Sequence, residues 1–205
     1  MIQLIVDNQK RKVSIGDDDW LIVIDYQNDF IPPDGALAVE GGDKLIDPIN
    51  KLLDEFSHSV ATRDWHPEDH YSFQENGGPW PPHCLQESWG AEFHPGLNTE
   101  QFDAQVKTGS DPEDRFDYSG FSGKVSQGVS LATYLRNAGA KRLFMVGLAT
   151  DYCVKHTALD GLSEGFKVFL LEDCIEPVDE QDGKAAIEEV KSNGGEVVKS
   201  SDLVF

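Results

Sequence analysis

Apolar runs of strand length alternate with stretches of helical spacing along most of this chain. Trp20-Leu21-Ile22-Val23-Ile24, which ends on Asp25, and Arg142-Leu143-Phe144-Met145-Val146 are continuous enough for strands covered on both faces. Ser59-Val60-Ala61-Thr62-Arg63, the end of a third run at Val106-Lys107, Lys167-Val168-Phe169-Leu170-Leu171 and Val197-Val198 read as further strands. Between them, Leu45, Ile46, Ile49, Leu52, Leu53 and Phe56 keep helical spacing behind Asp43 as a cap. Leu131, Leu135 and Ala138 mark a helix that stops at Gly139, and Val154, Thr157, Ala158 and Leu162 mark one that ends near Gly161 and Gly165. Ala185, Ala186, Ile187 and Val190 mark the last helix. This alternation predicts an α/β fold of three layers, a mostly parallel sheet with helices on both faces, Rossmann-like in plan. From His66 to about Val106 the periodicity disappears, and a loop that long in a compact domain is expected to perform a function. Ahead of the main pattern, Ile2 to Val6 and Lys12 to Ile15 flank Asp7-Asn8-Gln9-Lys10 as a small hairpin. Residues 1–19 are therefore read as an N-terminal extension, and residues 20–205 as a single domain.

Composition narrows the partners. A formal net charge of -20 repels nucleic acid and anionic membranes alike, so neither is expected to bind. Cys84, Cys153 and Cys174 are too few for a disulfide framework, and their odd number suits a reducing compartment. The first residues turn acidic too soon for a signal peptide, and no apolar run approaches the ~20 residues of a membrane span. A cytoplasmic protein is expected, with a homo-oligomer left open.

Asp25, Asp64, Lys107 and Cys153 all fall at or just beyond expected strand ends, the edge of a parallel sheet where ligands gather. Cys153 follows Gly147-Leu148-Ala149-Thr150-Asp151-Tyr152 at a strand-to-helix junction. Free N–H groups and the helix dipole there are expected to stabilise a thiolate. A carboxylate at a neighbouring strand end can take the thiol proton and later return it to a leaving group.

These stretches resemble the nicotinamidases of the isochorismatase-like cysteine hydrolases. The matching pieces, in the family's order, are Ile24-Asp25-Tyr26-Gln27-Asn28-Asp29-Phe30, Thr62-Arg63-Asp64-Trp65-His66-Pro67, Gly77-Gly78-Pro79-Trp80-Pro81-Pro82-His83-Cys84, Lys107, Tyr118-Ser119-Gly120-Phe121 and Gly147 to Cys153. The resemblance implies Cys153 as nucleophile, Asp25 as general base and Lys107 as third member of a triad. It also implies a cis peptide before Ala149, with the N–H groups of Ala149 and Cys153 facing the oxyanion. Asp64, His66 and His83 match metal ligands for one divalent ion, zinc before iron or manganese, with His70 a further candidate. Cys84 reads as a packed thiol and His156 as structural. Phe30 and Trp80 match positions that sandwich a pyridine ring, with Tyr118 and Tyr152 lining the same pocket. The implied reaction is hydrolysis of nicotinamide, and of pyrazinamide, through a thioester. The rival readings are an amidohydrolase of this fold for carbamoyl or ureido substrates, and a non-catalytic, zinc-stabilised binding protein.

Overall fold

The structure, a computed structural model, describes residues 12–112, 118–125 and 128–205. In chain order the strands are β1 (Val13–Ser14), β2 (Asp19–Ile24), β3 (Ser59–Asp64), β4 (Ala104–Thr108), β5 (Lys124–Val125), β6 (Arg142–Leu148), β7 (Lys167–Glu176), β8 (Glu196–Val198) and β9 (Leu203–Val204). The helices are α1 (Ile46–Glu55), α2 (Leu131–Asn137), α3 (Lys155–Ser163) and α4 (Glu180–Ser192). Seven strands form one sheet in the order β5-β4-β3-β2-β6-β7-β8, parallel throughout except for the β4–β5 pair. The mostly parallel α/β fold expected from the alternation is the fold observed.

Every residue of β2 is buried, as is all of β6 but Arg142, because helices cover both faces of the sheet. One apolar cluster joins Leu21, Val23, Phe144 and Val146 to α1 through Ile49, Leu52 and Leu53. The other joins Ile22, Ile24, Leu143 and Met145 to Leu131 and Leu135 of α2, Val154 and Ala158 next to and on α3, and Val190 of α4. The chain leaves β2 for β3 and β4 in one direction and later builds β6, β7 and β8 in the other. The reversal lies between β2 and β6, and the crevice at their carboxyl ends is where such sheets bind ligands.

Two local expectations change, the Asp43 cap and the last strand. Asp43 does not cap α1: a tight 3-10 turn, Gly42–Leu45, leads straight into the helix with no side-chain cap. Of the hairpin, residues 1–11 lie outside the described residues. Val13–Ser14, from its second arm, pairs in parallel with Leu203–Val204, and Val13 is buried in the first cluster. The Val197-Val198 strand is followed by β9, whose apolar pair was too short to read. The aperiodic loop is real: after β3 only three isolated 3-10 turns occur before β4, and no strand or α-helix.

Candidate active site

Asp25 is the first residue beyond β2 and Cys153 lies five residues beyond β6, so adjacent strands deliver both to one crevice. The strands approach closely there because Gly147 lacks a side chain: a Cβ on it would stand 2.1 Å from the Ile24 carbonyl oxygen. Gly147 also takes φ +111°, a conformation that glycine adopts without cost. The Leu148–Ala149 peptide is cis, as the resemblance implied. Thr150–Val154 then forms a wide π-turn, with the Val154 N–H reaching back to the Ala149 carbonyl, before α3 begins. Cys153 is thus held in the turn rather than in a regular first helical turn.

The carboxylate oxygens and the thiol of Asp25, Asp64 and Cys153 come within 4.8 Å of one another, all but removed from solvent. Burial, with the Asp64 charge added, pushes Asp25 up to about 7, against hydrogen bonds from Thr62 and Cys153. Burial and the carboxylates of Asp25 and Asp64 push the Cys153 thiol well above its ordinary range. The thiolate expected from a helix start is therefore not favoured. Desolvation in the crevice outweighs the dipole, and the thiol keeps its proton until a base takes it.

Asp64 ends β3, and the loop brings His66 and His83 to it. Their donor atoms lie within 4.8 Å of one another, with Asp64 Oδ2 3.3 Å from His66 Nε2 and 3.7 Å from His83 Nε2. Each ring is turned by its far nitrogen: His66 Nδ1 donates to the Gly109 carbonyl at 3.1 Å and His83 Nδ1 to the Pro81 carbonyl at 2.8 Å. A carbonyl only accepts, so each Nδ1 carries a proton, and Nε2 of each ring is the atom turned to Asp64. Burial would raise the Asp64 carboxyl, but positive charge on the His66 ring and hydrogen bonds donated by His66 and His83 hold it well below the usual carboxylate range, and the same carboxylate raises His66. Two imidazole nitrogens and one carboxylate, converging and braced from behind, fit a divalent ion of the zinc, iron or manganese type. His70 stacks on His66 at 4.2 Å between ring centroids, with its Nδ1 2.7 Å from Ser72 Oγ. It is not one of the three residues whose donor atoms converge. Cys84 is fully buried, with its thiol pushed up first by burial, as a packed thiol should be.

A small pocket opens onto these groups. Phe30, Trp80, Tyr118 and Tyr152 line it together with Asp64, His83, Ala149 and Cys153. Trp80 Nε1 donates to the Tyr118 hydroxyl at 3.1 Å, and the Tyr152 ring meets Trp80 and Tyr118 edge-on at 5.1 and 5.3 Å. Phe30 lies 5.7 Å from the His83 ring. The aromatic surfaces therefore share one pocket with the nucleophile, Asp64 and His83.

Lys107 does not join them. Along β4 the burial alternates, with Val106 and Thr108 buried and Lys107 exposed on the opposite face. Its ammonium sits 3.6 Å from the Trp65 ring centroid, and Arg63 stacks on the same indole at 4.5 Å. The residue that faces inward is Thr108, whose hydroxyl lies 3.1 Å from Asp64 Oδ1 and 3.2 Å from the Arg63 carbonyl.

The model of the isochorismatase domain matches residues 19–202. The chain belongs to the isochorismatase family. Within it, a nicotinamidase/pyrazinamidase of Mycobacterium tuberculosis is 39% identical, over 88% of this chain and 98% of the relative. A crystal structure of PnC1 from L. infantum in complex with nicotinate superposes with TM-score 0.87 at 44% identity, covering 94% of this chain and 98% of that one. A pyrazinamidase of Pyrococcus horikoshii in complex with zinc gives TM-score 0.80 at 45% identity, covering 89% and 99%.

For an isochorismatase-family site, several contributors carried no sequence signal. Leu37, Val39 and Val178 complete the pocket wall but read as ordinary apolar residues. Asp151, buried, accepts the N–H groups of Val178 and Asp179 at 3.0 Å each, and so ties the loop bearing Val178 to the turn bearing Cys153. Thr62 reads as a strand residue and Thr108 falls just past an expected strand end, and the hydroxyl partners of both appear only across the sheet.

Proposed function

We propose that this protein is a metal-containing nicotinamidase, an amide hydrolase that converts nicotinamide and water to nicotinate and ammonia and also accepts pyrazinamide. The observation that carries the reading is the buried Asp25–Cys153 pair opening on the same aromatic pocket as Asp64 and His83. The similar proteins named above support it.

Asp25 takes the Cys153 proton as Sγ attacks the carboxamide carbon, which matches a thiol that stays protonated on its own. The tetrahedral oxyanion faces the backbone N–H groups of Ala149 and Cys153. Asp25 returns the proton to the departing ammonia, then serves as base for the water that hydrolyses the thioester. Phe30, Trp80, Tyr118 and Tyr152 hold the ring. Asp64, His66 and His83 would hold a divalent ion, zinc before iron or manganese, which would supply a Lewis acid able to take the ring nitrogen. Residues 20–205 act as one hydrolase domain in the cytoplasm. No helix among the described residues is long and apolar enough to cross a membrane, and the three cysteines are unbridged.

Ammonia release from nicotinamide, pyrazinamide and benzamide tests the reading. Cys153→Ala should abolish release with fold and metal content intact; residual turnover within about tenfold of wild type, ~1.4 kcal/mol of barrier, removes the covalent role. Benzamide lacks the ring nitrogen, and its kcat/KM should fall on the order of 10²-fold below that of nicotinamide. Equal rates on the two amides would remove the ring-nitrogen contact.

A further inference from the structure

Asp25 sits in the left-handed backbone region at φ +47°, unusual for a residue with a side chain, so its carboxylate direction depends on what grips it. The grip comes from one neighbour on β3. The Asp25 N–H donates to the Thr62 carbonyl at 3.2 Å, and the Thr62 hydroxyl donates to Asp25 Oδ1 at 2.7 Å. Both side chains are buried, Thr62 at 1% exposure and Asp25 at 3%. The threonine rotamer is itself confined, because its methyl is packed against the segment at Gly120, where even a Cβ would come within 2.6 Å of Thr62 Cγ2. Among the described residues no lysine or arginine makes a hydrogen bond or ion pair with Asp25, and Lys107 is turned to the far face of β4.

We propose that Thr62 is the positioning residue of the general base: its hydroxyl holds Oδ1 of Asp25 so that Oδ2 is presented to the Cys153 thiol. A hydroxyl has a single proton, and here it is committed to Oδ1. One carboxylate oxygen is thereby anchored and the other is left to receive the thiol proton. Without the bond, the carboxylate is free to rotate about its last torsion, which is broad and two-fold, and the aimed oxygen is lost. Mispositioning of this kind lowers the rate of the chemical step while leaving ring binding in place. The inference rests on reading Asp25 as the base for Cys153 but not on the identity of the amide.

The test compares Thr62→Val, which keeps the branched shape and removes the donor, with Thr62→Ser, which keeps the donor. Two readouts are taken on the metal-loaded protein. One is the rate of Cys153 alkylation by iodoacetamide, followed on the Cys153 peptide; the other is kcat and KM for nicotinamide, with metal content measured on each sample. Thr62→Val should lower both the alkylation rate and kcat by about tenfold or more, with KM within about threefold and metal content unchanged, while Thr62→Ser stays within about threefold of wild type. The proposal is overturned if Thr62→Val matches wild type in alkylation, or if Thr62→Ser fails as badly as Thr62→Val, since the methyl packing would then be what matters. Should the valine variant not fold, Thr62→Ala replaces it, and serine must then exceed alanine by about tenfold. A wild type that alkylates with this threonine dependence but releases no ammonia would sink the nicotinamidase reading and support the role of Thr62.

Discussion

Asp25 and Cys153 meet in a crevice almost without water, and the resulting desolvation sets the order in which they lose protons. Asp25, raised to about 7, ionises before the thiol, so as pH rises through neutrality the carboxylate forms beside a thiol that is still neutral. Attack and proton transfer are then expected to be coupled. The consequence for pH has a definite sign. An acid whose folded pKa lies above its unfolded value of 3.8 contributes stability below 3.8 and loses it as pH rises to about 7. In metal-stripped protein, Asp25→Asn should therefore raise Tm at pH 8 relative to wild type and leave the difference small or reversed at pH 4. Cys153 alkylation in stripped wild type should rise with pH through a midpoint near 7, because the carboxylate is the form that accepts the proton. A cation beside Asp64 offsets part of the charge that raises Asp25, so the same midpoint should fall when metal is restored. A profile identical in Asp25→Asn and wild type would disconnect the two residues.

At the scale of elements, β4 decides which side chain reaches the carboxylates. Strand alternation presents Val106 and Thr108 to one face and Lys107 to the other, where Lys107 and Arg63 share the Trp65 ring. Those two cations are direct cross-strand partners, a pairing that costs energy unless something lies between them. The indole faces and the nearby Glu87 carboxylate offset that cost, and Lys107 is lowered first by desolvation and then by Arg63. Lys107→Ala should accordingly retain nicotinamide turnover within about tenfold. Thr108→Val should instead lower metal affinity by about 10–100-fold, the usual effect of losing a group that orients a ligand, measured by competition with a chromogenic chelator. Loss of turnover in Lys107→Ala without loss of metal would show that β4 turns its other face to the site in solution. A strand was legible at Val106-Lys107, but its phase was not. Two residues show that a strand exists, and only the pairing of Arg63 with Lys107 and Asp64 with Thr108 shows which of them points inward.

For the whole molecule, the order of strands places the site at the reversal between β2 and β6, above two apolar clusters that do not depend on the histidine group. The clusters cover a seven-stranded sheet on both faces, so the domain should remain folded without metal. Chelation is expected to lower Tm while leaving far-UV circular dichroism and a single cooperative transition. A zinc-stabilised binding protein would instead unfold on chelation, as small domains held together by metal do. The formal charge of -20 adds a second expectation. Self-repulsion should make moderate salt stabilising in the stripped protein, where the cation no longer offsets the carboxylates.

The sequence by itself determined the layers and the chemistry on offer. Unbroken runs such as Trp20–Ile24 can be satisfied only by a sheet covered on both faces, and strand ends carrying Asp25, Asp64 and Cys153 bring reactive groups to one edge of it. The spacing of Asp64 and His66 with a distant His83, and the aromatics Phe30, Trp80, Tyr118 and Tyr152, were readable because they lie within recognisable motifs. Tertiary structure alone decided the rest. Whether Cys153 is a thiolate depends on desolvation by residues from other strands, which outweighs the local helix start. Which nitrogen of His66 faces the site depends on the Gly109 carbonyl, 43 residues away. That Thr62 and Thr108 face the carboxylates while Lys107 faces Trp65 is set by strand register. Local pattern specifies what a segment becomes; hydrogen bonds between distant segments specify where each side chain points, and catalysis depends on the second.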